Sequence, residues 1–434
     1  MKVLLANPPG DYVRCRWDIS FKRGEMRFFA FPVRLAYATA VLKKNGYAAH
    51  IIDSTPEGIS KEEFSERFKK IMPDVLIWET VASSFDFDLE TLKVLKKINP
   101  KLIAVSSGYH ATSAIEQCLN AGYDYVIVGE CEYSILDLIR YIDKDTNEFS
   151  RGVASKRHKF VSRELIQNID ELPYPEREEL PMNRYNDPKL NGFNVVMVSS
   201  RGCPWGCNFC TSPVYYGKSN YRMRSPKNVV DEMKFLWNRY KPDELYFDDD
   251  NFSVNKEHVL GICNEIVNRN LTHIHWNAMV DATIDYELLT EMKSAGCTGL
   301  TIGAESADDN VLKHMEGKRI TRQSISEFVA NCNRLNIRTH VCWVLGMKGS
   351  TKESDLNTIK FALSLNSFTM QFSIAAPYFG TKLYKWCVEN KCIDDTVSNK
   401  LSANEDCAIS YPNYSSNEIL ENLKYADKMW HNRM

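Results

Sequence analysis

The sequence predicts an α/β protein in two parts, a doubly wound parallel sheet followed by a partial (β/α)6 barrel and a short helical C-terminal cap. Two observations carry that prediction. Short β-rich runs alternate with helical periodicity five times before residue 131 and six times after residue 193, the rhythm of parallel strands joined by crossover helices. Between the two series, residues 146–190 break into a basic, hairpin-like piece (Arg151 to Arg163) and the stretch Asp170-Glu171-Leu172-Pro173-Tyr174-Pro175-Glu176-Arg177, whose proline and charge mark a linker.

In the first series the runs are Val3–Asn7, Ala49–Asp53, Val75–Thr80, Leu102–Gly108 and Tyr125–Glu130, with amphipathic stretches such as Ile59–Met72 and Leu89–Lys97 between them. Five such units within residues 1–145 predict a flavodoxin-like sheet whose ligand crevice lies beyond the carboxyl ends of the strands. Those ends carry Asn7-Pro8-Pro9, Thr80 to Ser84, Ser106 to His110 and Gly129-Glu130, small and polar loops that a large ligand can approach. The second series is Asn194–Ser200, Glu244–Asp248, His273–Val280, Gly299–Glu305, Arg338–Gly346 and Thr369–Ala375, with helices expected at Pro226–Tyr240 and Ile284–Ser294. Six repeats over residues 191–384 curve into a partial barrel with its site again at the strands' C-terminal ends. Residues 385–434, where Ser416 and Asn417 precede Glu418-Ile419-Leu420, are expected to form the cap.

Composition narrows the function classes. The 434 residues hold 54 Lys+Arg against 56 Asp+Glu, a net charge of −2, with 44% hydrophobic residues. Such a chain folds around a large core and has no field to gather nucleic acid or anionic lipid. No run reaches the roughly 18–20 apolar residues that span a bilayer, and the start turns polar too early for a signal peptide, so the cytoplasm is the expected compartment. In that reducing compartment thirteen cysteines are not a disulfide framework, and a tightly spaced group becomes a metal candidate.

One group meets that description. Ser200-Arg201-Gly202-Cys203-Pro204-Trp205-Gly206-Cys207-Asn208-Phe209-Cys210 follows the first strand of the second series as a C-x3-C-x2-C run, a pattern with a chance expectation of about 0.01 at this cysteine content. Three thiolates on one loop can hold three irons of a [4Fe–4S] cluster, with Gly202 and Gly206 letting the backbone wrap and Trp205 and Phe209 shielding the sulfurs. The fourth iron is then open to the amino and carboxylate groups of an amino-acid cofactor. The alternatives are a zinc site, which wants a fourth ligand that no matching nearby pair provides, or three ordinary thiols.

The run resembles the signature of radical S-adenosylmethionine (SAM) enzymes, and the likeness extends past the cysteines. Tyr246-Phe247-Asp248-Asp249-Asp250-Asn251-Phe252 is similar to the family's acidic second-strand motif, whose end lies near the methionine amine, which implies Asp249 and Asp250 as contacts. Ile302-Gly303-Ala304-Glu305-Ser306 resembles the fourth-strand G-x-E-S element, implying that Glu305 and Ser306 address the ribose and methionine part of SAM. Val344-Leu345-Gly346-Met347-Lys348-Gly349-Ser350-Thr351 is similar to the fifth-strand element beside the adenine, with Gly346 retained and Met347-Lys348-Gly349-Ser350 departing from the usual Leu-Pro-Gly-Glu. Relatives often carry an arginine near Trp276 to Asp285, where this chain has Val280-Asp281, so no SAM carboxylate partner is assigned.

The first domain resembles the cobalamin-binding domain that precedes this barrel in one large subgroup, through Val3-Leu4-Leu5-Ala6-Asn7-Pro8-Pro9, Ser107-Gly108-Tyr109-His110-Ala111-Thr112, and Val128-Gly129-Glu130-Cys131-Glu132. The resemblance implies cobalamin contacts at Asn7, Pro8, Ser83, Ser84, Ser107, Gly108, His110, Gly129 and Glu130. No histidine occurs before His50, so a D-x-H-x-x-G loop with a lower cobalt ligand is missing; His110 is either a contact at the cofactor's edge or an ordinary hydrogen-bonded loop residue. Cys15, Cys118 and Cys131, and likewise Cys387, Cys392 and Cys407, are read as structural thiols. His340 and Cys342 alternate on one strand and so share a face.

The resemblance implies an enzyme using a [4Fe–4S] cluster on Cys203, Cys207 and Cys210, SAM and cobalamin. Reduction of the cluster cleaves SAM to a 5′-deoxyadenosyl radical that takes hydrogen from an unactivated carbon, and methylation of that carbon is the expected outcome. Ring contraction or cyclisation, a radical SAM enzyme without cobalamin, and a non-catalytic cobalamin sensor or carrier are the alternatives. The expected partners are a small or lipid-like substrate, with Tyr378 and Phe379 as pocket or packing residues, and an electron donor such as flavodoxin or ferredoxin.

Overall fold

Strand β1 (Lys2–Asn7) is buried at every position after the first, as a parallel strand covered on both faces must be. In the computed structural model of the chain, which describes residues 1–10, 12–14, 20–22, 29–187, 192–393 and 406–431, it lies near the middle of a six-stranded sheet. Helix α1 (Val33–Lys44), strand β2 (Ala48–Asp53), helix α2 (Lys61–Ile71), strand β3 (Val75–Glu79), helix α3 (Phe85–Ile98), strand β4 (Ile103–Ser107), strand β5 (Tyr125–Ile127), helix α4 (Glu132–Ile142) and strand β6 (Val153–Ala154) complete it. The strand order is β2-β1-β3-β4-β5-β6, parallel except for the last pair. This is the flavodoxin-like order, and chain direction across the sheet reverses between β1 and β3. The expected crevice therefore opens beyond Asn7 and Glu79.

Local chemistry explains the elements. Helix α2 starts where the Ser60 side chain accepts the Glu63 amide, and it buries Phe64 and Phe68, one turn apart, on a single face. Helix α1 is buried from Val33 to Leu42, and the stretch around Glu176, within residues 146–190 expected as a linker, lies against it. Lys43 Nζ meets Glu176 at 2.8 Å, and the Glu176 amide donates to the Ala36 carbonyl at 3.0 Å. The basic hairpin-like piece supplies β6 as an antiparallel edge and closes with a bond from the Gly152 amide to the Val161 carbonyl at 2.8 Å.

The second series forms strands β7 (Asn194–Met197), β8 (Glu244–Phe247), β9 (Trp276–Val280), β10 (Cys297–Glu305), β11 (Arg338–Leu345) and β12 (Thr369–Ile374), all parallel and in sequential order. Helices α5 (Pro226–Tyr240), α6 (Lys256–Asn268), α7 (Tyr286–Ser294), α8 (Arg322–Arg334) and α9 (Lys352–Ser364) connect them. Each opens on a side chain that accepts the amide three residues on, namely Ser225, Asn255, Asp285, Thr321 and Thr351. Along β11 half-buried Arg338, His340, Cys342 and Val344 alternate with buried Thr339, Val341, Trp343 and Leu345, so one face meets the helices and the other the barrel interior. His340 and Cys342 share that inner face.

The chain divides into two compact units, one of Met1–Asp187 with Val214–Gly217 and the other of the remaining residues. Helix α10 (Lys382–Glu389) and helix α11 (Ser416–His431) follow the last strand of the second unit. Tyr414, just ahead of α11, donates to Asp355 of α9 at 2.8 Å and receives Asn422 Nδ2 at 2.7 Å. No helix among the described residues is long and apolar enough to cross a membrane.

Candidate functional site

The C-x3-C-x2-C loop begins at Cys203, six residues beyond the end of β7, and acidic residues beyond β8 hold its head. Asp249, 1% exposed, accepts the Ser199 amide at 2.7 Å and the hydroxyls of Ser199 and Ser200 at 2.5 and 2.6 Å. Asp250 accepts the Gly202 amide at 2.8 Å. Both carboxylates, expected as cofactor contacts, are thus engaged in shaping the loop. Gly202 and Gly206 take φ of +81° and +63°, conformations that glycine alone adopts without strain. Phe209 is half-buried beside the cysteines.

A second segment, outside every motif read from the sequence, also holds the loop. The Asn208 amide donates to the Met315 carbonyl at 3.1 Å and Asn208 Nδ2 to the His314 carbonyl at 2.7 Å. At Gly317 a β-carbon would stand 2.1 Å from the Trp205 carbonyl oxygen, so a glycine is required for the two segments to touch. The Arg319 guanidinium lies over the Trp205 ring, 4.2 Å from its centre. Between these two residues, Lys318 reaches back to Glu305 at the end of β10, Nζ to Oε1 2.8 Å. Room for that pair comes from Gly303, whose β-carbon would lie 2.3 Å from Glu305 Oε1. The glycine and glutamate of the G-x-E-S element are therefore matched to each other.

Burial pushes the Cys203 thiol up to about 12, with Asp250 and Cys207 adding to the rise, and raises Cys207 and Cys210 as well. A buried thiol that resists ionisation is a poor nucleophile, but metal binding deprotonates such a group outright. Among the described residues no three His, Cys, Asp or Glu side chains converge where a single metal ion would sit. A cubane takes one thiolate per iron and does not ask the sulfurs to meet at one point, so three thiols on one loop suit it. The donor set fits the cluster. Burial works against charge on Lys318, but Glu305 and Cys207 outweigh it and hold the ammonium above its usual range.

The other two barrel motifs are tied into the framework. Ser306 Oγ lies 3.2 Å from Thr358 Oγ1 and accepts the Asp308 amide. Gly346, at φ +74°, donates its amide to Asp355 Oδ2 at 2.7 Å and accepts the Tyr411 hydroxyl at 3.0 Å. Its β-carbon would strike Ile419 of α11, which accounts for this glycine by packing.

In the first unit, Asn7 and Pro8 leave β1, and Asn7 Nδ2 reaches Asp53 Oδ1 at 3.4 Å. Asn7 Oδ1, Ser54 Oγ and Thr55 Oγ1 are buried there without a hydrogen-bond partner, at the ends of adjacent strands β1 and β2. Buried polar atoms normally have partners, so these three fit a polar ligand arriving beyond the ends of β1 and β2. Ser83 and Ser84 occupy the turn after β3, with Ser84 donating to Asp88 at 3.0 Å. Ser107 donates to the Trp78 carbonyl, and Gly108, at φ +99°, leaves room for Glu79, whose Cγ would lie 2.8 Å from a β-carbon. Glu79 pairs with Arg34, whose guanidinium lies between the rings of Tyr109 and Tyr215 at 4.3 and 4.7 Å.

His110 is 1% exposed and lies edge-on to Phe85 at 5.2 Å, and burial lowers its pKa to about 4. Gly129 donates to Thr112 Oγ1 at 3.0 Å, and Glu130 accepts the Ile166 amide at 2.8 Å, so that both fasten loops. Cys118, Cys131, Cys387, Cys392 and Cys407 are buried thiols, while Cys15 lies outside the described residues.

Residues 197–362 match the radical SAM superfamily and residues 23–139 match the B12 binding domain. An uncharacterised methyltransferase of Pyrococcus horikoshii is 30% identical over 437 positions, covering 98% of this chain and 91% of that protein. The anaerobic magnesium-protoporphyrin IX monomethyl ester cyclase of Cereibacter sphaeroides is 26% identical over 82% of this chain and 60% of its own length. Among solved structures, the radical S-adenosylmethionine methyltransferase TsrM of Kitasatospora setae superposes with a TM-score of 0.73 at 18% identity, covering 90% of this chain and 76% of that one. That last likeness is one of fold.

Proposed function

The chain belongs to the radical SAM superfamily, with a B12 binding domain ahead of its barrel, and from that premise we propose that it is a cobalamin-dependent enzyme that methylates an unactivated carbon of a small molecule. The observation that carries the reading is the cysteine loop held on two sides, by Asp249 and Asp250 and by the segment His314–Arg319. Three thiols fixed in place by so many backbone contacts are arranged for a rigid multi-iron group. When bound, the cluster with SAM supplies a carbon-radical initiator and the corrin supplies a transferable methyl group.

The chain's own residues do the rest. Cys203, Cys207 and Cys210 hold one iron each, and Phe209 and Trp205 keep water from the sulfurs. Glu305, Ser306 and Gly346 line the ends of β10 and β11 where SAM is addressed, with Asp249 and Asp250 acting through the loop. Asn7, Pro8, Ser83, Ser84, Ser107, Gly108, Gly129 and Glu130 form the loops that receive the corrin, and Asn7, with neighbouring Ser54 and Thr55, brings the polar atoms that lack partners. A cytoplasmic setting with a flavodoxin- or ferredoxin-type electron donor completes the proposal.

The test is anaerobic incubation of reconstituted protein with SAM, cobalamin, a reductant and candidate metabolites. The expected result is 5′-deoxyadenosine together with a product heavier by one methyl group. A product with a new ring and no added methyl would instead support cyclisation, the reading that the likeness to the cyclase favours. Intact SAM in the presence of a fully formed cluster would overturn both.

A further inference from the structure

The barrel motifs leave one group unassigned, the ammonium of Lys318. Its side chain is 16% exposed and is paired with Glu305, which is 10% exposed. A buried ion pair of this kind is a poor source of stability, since desolvation consumes most of the attraction. Yet two glycines are placed to accommodate it: Gly303, where a β-carbon would lie 3.2 Å from Lys318 Nζ, and Gly317, where one would lie 2.7 Å from the Cys207 amide nitrogen. The second glycine brings the residue next to Lys318 onto the backbone of a cysteine expected to bind iron. Negative charge is plentiful around those sulfurs. Asp250 acts on Cys203, and Glu305 and Asp281 act on Cys207, while Lys318 opposes them at both.

We infer that Lys318 is a positioning residue that sets the reduction potential of the cluster, its fixed positive charge stabilising the electron-rich form, with Glu305 tempering it. The inference rests on the cluster assignment made above. Adding one electron to a thiolate-bound cluster raises its negative charge by one, and a cation held in a low-dielectric setting favours that state. Glu305 acts on Cys207 in the opposite sense.

The experiment is a potentiometric titration of the reconstituted full-length protein without SAM, followed by electron paramagnetic resonance, for the wild type, Lys318→Met, Lys318→Arg and Glu305→Gln. Lys318→Met should lower the reduced-to-oxidised ratio at a fixed potential by about tenfold, a shift of about 59 mV to more negative potential for one electron. Lys318→Arg should stay close to the wild type, and Glu305→Gln should shift the other way. A purely structural pair would give no shift, or the same direction of shift in both neutral variants, and that result overturns the inference while leaving the cluster in place. If Lys318→Met fails to retain iron, the sign of the Glu305→Gln shift still decides. A wild type that holds no cluster would overturn the cluster assignment itself, and this inference with it.

Discussion

Gly317 lies so close over the cysteine loop that a β-carbon on it would stand 2.7 Å from the Cys207 amide nitrogen and 2.1 Å from the Trp205 carbonyl oxygen. Both partners are backbone, so neither can swing aside. Gly317→Ala must therefore separate the two segments and break the bond from the Asn208 amide to Met315. Overpacking of this kind costs about 1–3 kcal/mol. The expected outcome is a folded chain, with unchanged far-ultraviolet circular dichroism, that retains much less iron and sulfide after reconstitution. Full iron retention would show that the contact is dispensable.

Asp249 is the other half of the clamp. Its carboxylate accepts one amide and two hydroxyls from Ser199 and Ser200, and an ionised acid is an acceptor at every lone pair. Asp249→Asn presents an amide nitrogen to part of that set, leaving a buried group unsatisfied at about 1–3 kcal/mol. Thermal unfolding should shift downward, and cluster loading should fall with it. Asp250→Asn, which keeps one oxygen for the Gly202 amide, should be milder on both measures.

These contacts show where the sequence was legible. The strands were readable because each is a short apolar run with helical periodicity on either side, and β11 even exposed its two faces through the alternation of His340 and Cys342 with Val341 and Trp343. The cysteine loop was readable because its chemistry is local, three thiols within eight residues. Lys318 was not, since it stands more than a hundred residues from the cysteines, in a loop whose only mark is a glycine beside it. In residues 146–190, read as a linker, proline and charge signal irregular backbone but do not reveal that Glu176 meets Lys43 of α1. The burial of His110 against Phe85 is likewise a contact that no spacing rule supplies.

The unpartnered atoms beyond β1 and β2 give a prediction of opposite signs. Thr55 Oγ1 is buried with no hydrogen-bond partner, so the ligand-free protein bears the desolvation cost of that hydroxyl. Thr55→Val keeps the shape and removes it, which should raise the stability of the ligand-free protein by about 1 kcal/mol. Cobalamin, if it satisfies that atom, should bind the variant several-fold more weakly in equilibrium titration. A stabilised variant with undiminished cobalamin affinity would place the ligand elsewhere.

Asp355 sets a pH dependence in the second unit. Burial raises its pKa from 3.8 to about 6, against the lowering effect of hydrogen bonds from the Gly346 amide and the Tyr414 hydroxyl. Its folded pKa lies above its unfolded one, so its favourable contribution is complete below pH 4 and is lost as pH rises towards 6, where the unfolded chain ionises first. Two pH units correspond to roughly 3 kcal/mol. Asp355→Asn removes the ionisation while keeping an oxygen to accept from Gly346 and Tyr414. In urea unfolding at pH 4, 5, 6 and 7, the stability of the variant relative to wild type should rise across that interval and level off near pH 7. Parallel profiles would mean that Asp355 ionises as easily in the folded chain as in the unfolded one, and that the link between the end of β11 and helix α11 tolerates a full buried charge.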